Sequence, residues 1–125
     1  MATRIRKTRQ LHAIHRTLNA TERPMSIDEI HRAAQAHEEG LGIATVYRTV
    51  KTLMADGIVV AINLPGEAPR FEIAGKGHHH HFQCNACGRV FETKACLGDL
   101  RRLVPRRFRL TGHEIVLYGR CADCR

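Results

Sequence analysis

Two C-x-x-C pairs, Cys84–Cys87 and Cys121–Cys124, are separated by 33 residues. Each spacing suits a tight knuckle turn that aims two sulfurs at one point. Four thiolates in a tetrahedral set make a closed structural Zn²⁺ site, with iron in a rubredoxin-like site as the alternative. Such an ion would serve folding: it would tie the last strand of the chain to the strand that carries Cys84. The plainer reading, four unrelated buried thiols, leaves the doubled spacing unexplained.

A run of four histidines, His78 to His81, leads into the first pair. On an extended strand, neighbouring side chains point to opposite faces. His78 and His80 then share one face, and His79 and His81 the other, which would serve two separate metal sites. Neutral imidazole suits both Zn²⁺ and Fe²⁺. Glu72, Glu92, Cys96, Asp99 and His113 are the further candidate ligands. A metal joining Glu72 to His79 or His81 would couple the first half of the chain to the second. The plainer reading is a solvated histidine loop among surface acids. His12, His15, His31 and His37 read as exposed helix residues.

The elements that must position these groups follow from apolar spacing. Leu11, Ile14 and Leu18 predict a helix over residues 8–19. Ser26 with Glu29 three residues on is a capping box that starts a second helix, with Ile27, Ile30 and Ala34 inward. A third helix over 43–55 turns Ile43, Val46, Val50, Leu53 and Met54 inward and Thr45, Tyr47, Arg48, Thr49, Lys51 and Thr52 outward. Two strands, 58–64 and 70–74, flank a Pro/Gly-rich loop. Three helices and a hairpin is the element order of a winged helix-turn-helix, whose last helix enters the DNA major groove. Beyond the loop at 74–77, strands are expected at 80–84, 89–93, 108–111 and 114–119, with a short helix at 96–104. The fold class is α+β: a winged-helix domain over 1–75, a hinge at 76–77, and a small zinc-containing α/β dimerisation domain over 78–125.

Composition limits the partners. The formal charge is +8, and residues 1–16 hold Arg4, Arg6, Lys7, Arg9 and Arg16 with no acid. That balance suits double-stranded DNA, with phosphate contacts expected from Arg4, Arg6, Lys7 and Lys51. Five cysteines, an odd number, argue against a disulfide framework. No apolar run nears the roughly 18 residues that span a bilayer, and no secretory signal is evident. A cytoplasmic protein without a membrane partner is expected.

Several stretches together resemble the ferric uptake regulator family of metal-dependent bacterial repressors: Gly42-Ile43-Ala44-Thr45-Val46-Tyr47-Arg48, Arg70-Phe71-Glu72, His78–His81 with Cys84-x-x-Cys87-Gly88, and His113 to Cys121. The resemblance runs from about residue 8 to the end of the chain. It implies a homodimer that represses by binding palindromic operators when a regulatory metal is loaded. Thr45, Tyr47 and Arg48 match recognition-helix positions. Glu72, His79 and His81 match an interdomain regulatory site for Zn²⁺ or Fe²⁺, beside which Glu92 and Cys96 are further candidates. His78, His80, Asp99 and His113 match a second site.

The sequence departs from the family pattern at several places. The helix ahead of Thr8 is nearly absent, Met25 stands where a ligand histidine is usual, His80 stands where Asp is common, and Cys96 is an added thiol. A thiol makes the regulatory set softer and tilts the expectation toward a zinc-uptake regulator. Two rivals remain: a zinc-stapled DNA-binding protein whose affinity ignores further metal, and a zinc hydrolase with Glu92 as general base.

Overall fold

The computed structural model describes residues 2–125, with side chains from Arg4 onward. The chain divides into two compact units, one ending at Lys76 and the other running Gly77–Arg125.

The first unit holds three helices and a hairpin: α1 (Ala2–Ala20), α2 (Ile27–Ala34), α3 (Ile43–Ala55), β1 (Val59–Ile62) and β2 (Arg70–Ile73). Ile14 and Leu18 from α1, Ile30 and Ala34 from α2, and Val46, Val50 and Leu53 from α3 meet in one apolar core closed by Val59 and Phe71. These are the i, i+3/i+4 positions that put one stripe of each helix against its neighbours. α1 starts at Ala2, six residues ahead of the start expected from apolar spacing, so the helix is longer than that spacing marked. The basic residues had hidden it, since they carry no apolar period.

The Ser26 hydroxyl accepts from the Glu29 N–H at 3.2 Å, and the Glu29 carboxylate accepts from the Ser26 N–H at 3.1 Å, which forms the capping box at the start of α2. Glu29 also receives Arg23 at 2.5 Å and Arg70 at 2.8 Å, so the cap is pinned to β2 as well. On α3, Ile43 and Met54 are exposed rather than inward. They lie at the helix ends, where the facing elements no longer cover the stripe. β1 and β2 pair antiparallel from Val59↔Ile73 to Ile62↔Arg70. Met25 bridges to Phe71 through two backbone hydrogen bonds of 2.9 and 2.8 Å and lies buried in the core.

The second unit is a three-stranded sheet in the order β4–β3–β5, from β3 (His80–Cys84), β4 (Val90–Thr93) and β5 (Val116–Gly119). β3 pairs antiparallel with β4 and parallel with β5. Gly119 lies opposite Cys84. A Cβ there would stand 3.0 Å from Phe82 Cζ, which accounts for glycine at that position. The expected helix over 96–104 is only a 3₁₀ turn, Arg101–Leu103. Gly98 has φ +81°, a backbone state that ends a right-handed helix. No strand forms at 108–111, where Arg107 has φ +72° and Phe108 is exposed. No helix among the described residues is long and apolar enough to cross a membrane.

Candidate metal centres

The β3–β4 turn and the segment after β5 carry the four cysteines. Because β5 lies beside β3, Cys121 arrives next to Cys84. One ligand atom from each of Cys84, Cys87, Cys121 and Cys124 falls within 4.8 Å of the others. Cys87 Sγ and Cys121 Sγ are 3.8 Å apart, too far for a disulfide. Four sulfurs at 2.3 Å from one tetrahedral Zn²⁺ would be separated by about 3.8 Å, so the residues fit that ion.

Backbone N–H groups prepare the set for charge. The Cys87 and Cys121 amides point at Cys84 Sγ from 3.4 and 3.3 Å. They are the main reason its thiol is pulled down to about 5. Arg89 Nε donates to Cys87 Sγ at 3.2 Å and lowers that thiol too, while Arg89 Nη2 reaches Asp123 at 3.0 Å. Cys124 is pushed up to about 12, first by its hydrogen bond with Cys121 and then by burial. Sequence reasoning missed Arg89; a basic residue two positions past a knuckle cysteine was the available signal.

The histidines divide between two clusters. His78 and His80 have ring centroids 4.5 Å apart, and His79 and His81 4.9 Å apart. The first pair meets His113, at 4.8 and 5.0 Å between centroids. Cys96 Sγ stands among these three rings, 3.4 Å from His78 Nε2, 3.2 Å from His80 Nε2 and 3.3 Å from His113 Nε2. Cys96 therefore sits with the second ligand set, although the sequence reading had placed it beside the regulatory one. Burial first, then the neighbouring imidazoles, lowers the His80 pKa and keeps the ring neutral. The Ile115 N–H donates to His80 Nδ1 at 3.2 Å.

Asp99 does not join this cluster. Its carboxylate is held by Arg101 at 2.7–3.0 Å and drops to about 2 for that reason. Arg101, two residues on, contacts both of its carboxylate oxygens. Glu92 lies on β4 opposite His81. Glu72 lies on β2 opposite Val60, with Lys76 Nζ 3.9 Å from its carboxylate. Met25 belongs to the apolar core of the first unit and is no substitute ligand.

The residues expected to meet nucleic acid lie on the first unit. Tyr47 is half exposed, with Lys51 Nζ 5.0 Å from its ring centre. Arg48 Nη2 donates to Thr45 Oγ1 at 3.3 Å. A cleft of about 580 Å³ joins Arg6, Lys7 and Gln10 of α1 to Thr45, Arg48 and Thr52 of α3. Arg4 is exposed and lies outside that lining; its carbonyl accepts from Thr8 at 3.0 Å.

The model of the ferric uptake regulator family matches residues 2–118. A ferric uptake regulation protein of Campylobacter jejuni is 30% identical over 96% of this chain and 80% of its own length. Among solved structures, a zinc-bound manganese uptake regulator is similar with a TM-score of 0.76 at 29% identity, covering 90% of this chain and 87% of the other. A zinc uptake regulator of M. tuberculosis aligns with a TM-score of 0.55 at 28% identity, covering 97% and 96%. The three-helix-and-hairpin unit, the Cys₄ set and this match over nearly the whole chain agree: the chain belongs to the ferric uptake regulator family, whose members are metal-responsive transcription regulators and not enzymes.

Proposed function

We propose that the chain is a repressor that binds palindromic operator DNA as a homodimer when a regulatory divalent metal is loaded. The observation that carries the DNA reading is the cleft that brings Arg6 and Lys7 beside Thr45 and Arg48. Arg6 and Lys7 lie beside the exposed face of α3, which supports phosphate contacts from those cations and base reading by Tyr47 and Arg48. Arg4 and Lys51 add positive charge around the same face. Exposed Leu103, Phe108, Leu117 and Tyr118 in the second unit support self-association. Two copies would present α3 to successive major grooves roughly 34 Å apart.

The regulatory ligands in this reading are Glu72, His79 and His81, with Glu92 near His81 as a further carboxylate. Glu72 belongs to the first unit and both histidines to the second, so in this reading an ion taken by all three would couple metal loading to DNA binding. With Cys96 in the other cluster, this set offers only imidazole and carboxylate, a class that serves Zn²⁺ and Fe²⁺ alike. The tilt toward a zinc-uptake regulator that Cys96 lent the sequence reading no longer applies at this site.

The test is operator binding with and without added metal in the Glu72→Ala and His79→Ala proteins. Both should keep one tightly held zinc and lose the metal response. If both respond like the parent, the switch lies elsewhere. If the parent itself shows no response, the protein is a zinc-stapled DNA binder.

A further inference from the structure

We infer that His78, His80, Cys96 and His113 form a four-coordinate, thiolate-containing centre that takes Zn²⁺ in preference to Fe²⁺, with Cys96 as the residue that sets the preference. This goes beyond the operator switch and does not rest on it, because the centre would load equally in a chain that bound no DNA.

Geometry comes first. Three Nε2 atoms lie 3.2–3.4 Å from one sulfur. An ion with bonds near 2.0–2.1 Å to nitrogen and 2.3 Å to sulfur holds tetrahedral N and S ligands about 3.5 Å apart. The three N···S separations lie within a few tenths of an ångström of that value, and all four ligand atoms lie within 4.8 Å of one another.

The second argument is the company Cys96 keeps. A surface thiol satisfied by a hydrogen bond needs one partner, but here three imidazoles converge on it. Their ring centroids are 4.5–5.0 Å apart, so all three rings share one small space with the sulfur. The Ile115 N–H at His80 Nδ1 places the neutral ring's proton on Nε2, facing the sulfur. A cation bound at Nε2 would need the ring's proton on Nδ1 instead, so the ring would turn away from the Ile115 N–H as the ion entered.

The backbone around Cys96 is also shaped for a thiolate. The Gly98 N–H points back at Cys96 Sγ from 3.5 Å. At Cys84, the Cys87 N–H makes the same kind of contact at 3.4 Å. Gly98 reaches this position with φ +81°, which an L side chain rarely adopts. Cys96 and His78 are exposed while His80 is buried, so an ion has an entry path to a set anchored on β3. The neighbouring carboxylate, Asp99, is already held by Arg101, leaving Cys96 as the anionic ligand of the group. Thiolate with three imidazoles in four-fold coordination suits Zn²⁺ or Co²⁺, whereas Fe²⁺ favours more oxygen-rich sets with open positions.

The experiment starts from the full-length protein carrying zinc only in its Cys₄ set, titrated with Co²⁺. A sulfur-to-cobalt charge-transfer band in the near ultraviolet should rise with the added ion, because the Glu72–His79–His81 set has no thiol to produce one. Cys96→Ser should abolish the band and weaken binding of that ion by more than about 10–100-fold, the cost of losing even an outer-shell partner. The parent protein gives a second measurement that needs no variant. Iodoacetamide should alkylate Cys96 in the zinc-stapled form, and added Zn²⁺ should protect it while equal Fe²⁺ does not. The inference is overturned by a parent without the band, by a band that persists in Cys96→Ser, or by equal protection from the two ions. Metal-dependent operator binding is read separately, so failure of either idea is visible without the other.

Discussion

Glu29 holds three partners at once: the Ser26 N–H, Arg23 and Arg70. Burial raises its pKa, but the Ser26 amide and Arg23 lower it by more, so the folded-state value lies below the ordinary carboxylate value. A depressed carboxylate stabilises the fold fully above its unfolded pKa, and that share is lost as pH falls through the folded pKa. Glu29→Ala should cost about 1–2 kcal/mol near neutral pH, through the cap and its charged hydrogen bonds. Urea unfolding at a series of pH values checks it: the gap between parent and variant should shrink in acid. A gap that widened in acid would contradict the assignment. The capping box could be read from Ser26 and Glu29 alone because it spans one turn of helix. Arg70 could not, since it lies 41 residues away and reaches Glu29 only once Phe71 of β2 pairs with Met25, just ahead of the cap.

At the scale of elements, α3 shows two faces with separate duties. Val46, Val50 and Leu53 are buried in the core, while Tyr47, Arg48 and Lys51 are exposed. Leu53→Ala should destabilise the first unit by about 2–5 kcal/mol, seen as a lower urea midpoint. Tyr47→Ala should leave stability within about 0.5 kcal/mol of the parent and lower operator affinity in a gel-shift titration. If both variants fail in the same way, the division of faces is wrong. The helical period made this division legible in the sequence. Ile43 and Met54 misled it because periodicity carries no information about where the facing elements end. The segment 96–111 misled it further: its apolar residues suggested regular elements, and positive φ at Gly98 and Arg107 breaks both.

For the whole molecule, the two units are stabilised by different means. The first has a continuous apolar core. In the second, the buried apolar side chains among the described residues are Cys84, Val90 and Cys121, two of which belong to the Cys₄ set. So thin a core needs an ion, whose binding then becomes folding free energy. Stripping the protein with a strong chelator at neutral pH should unfold residues 77–125 and leave the helical signal of α1–α3. Hydrogen exchange resolved along the chain would measure this. Uniform protection in both halves after zinc removal would refute it. The sequence by itself determined the order of elements, the capping box, the Cys₄ set and the faces of α3, because each is written in local spacing or in ligand type. Only the tertiary structure decided that Cys96 belongs with His78, His80 and His113, that Asp99 is held by Arg101, and that Met25 is core. Those outcomes depend on which strands become neighbours: parallel pairing of β5 with β3 carries His113 to the histidine run, and no spacing along the chain encodes that distance.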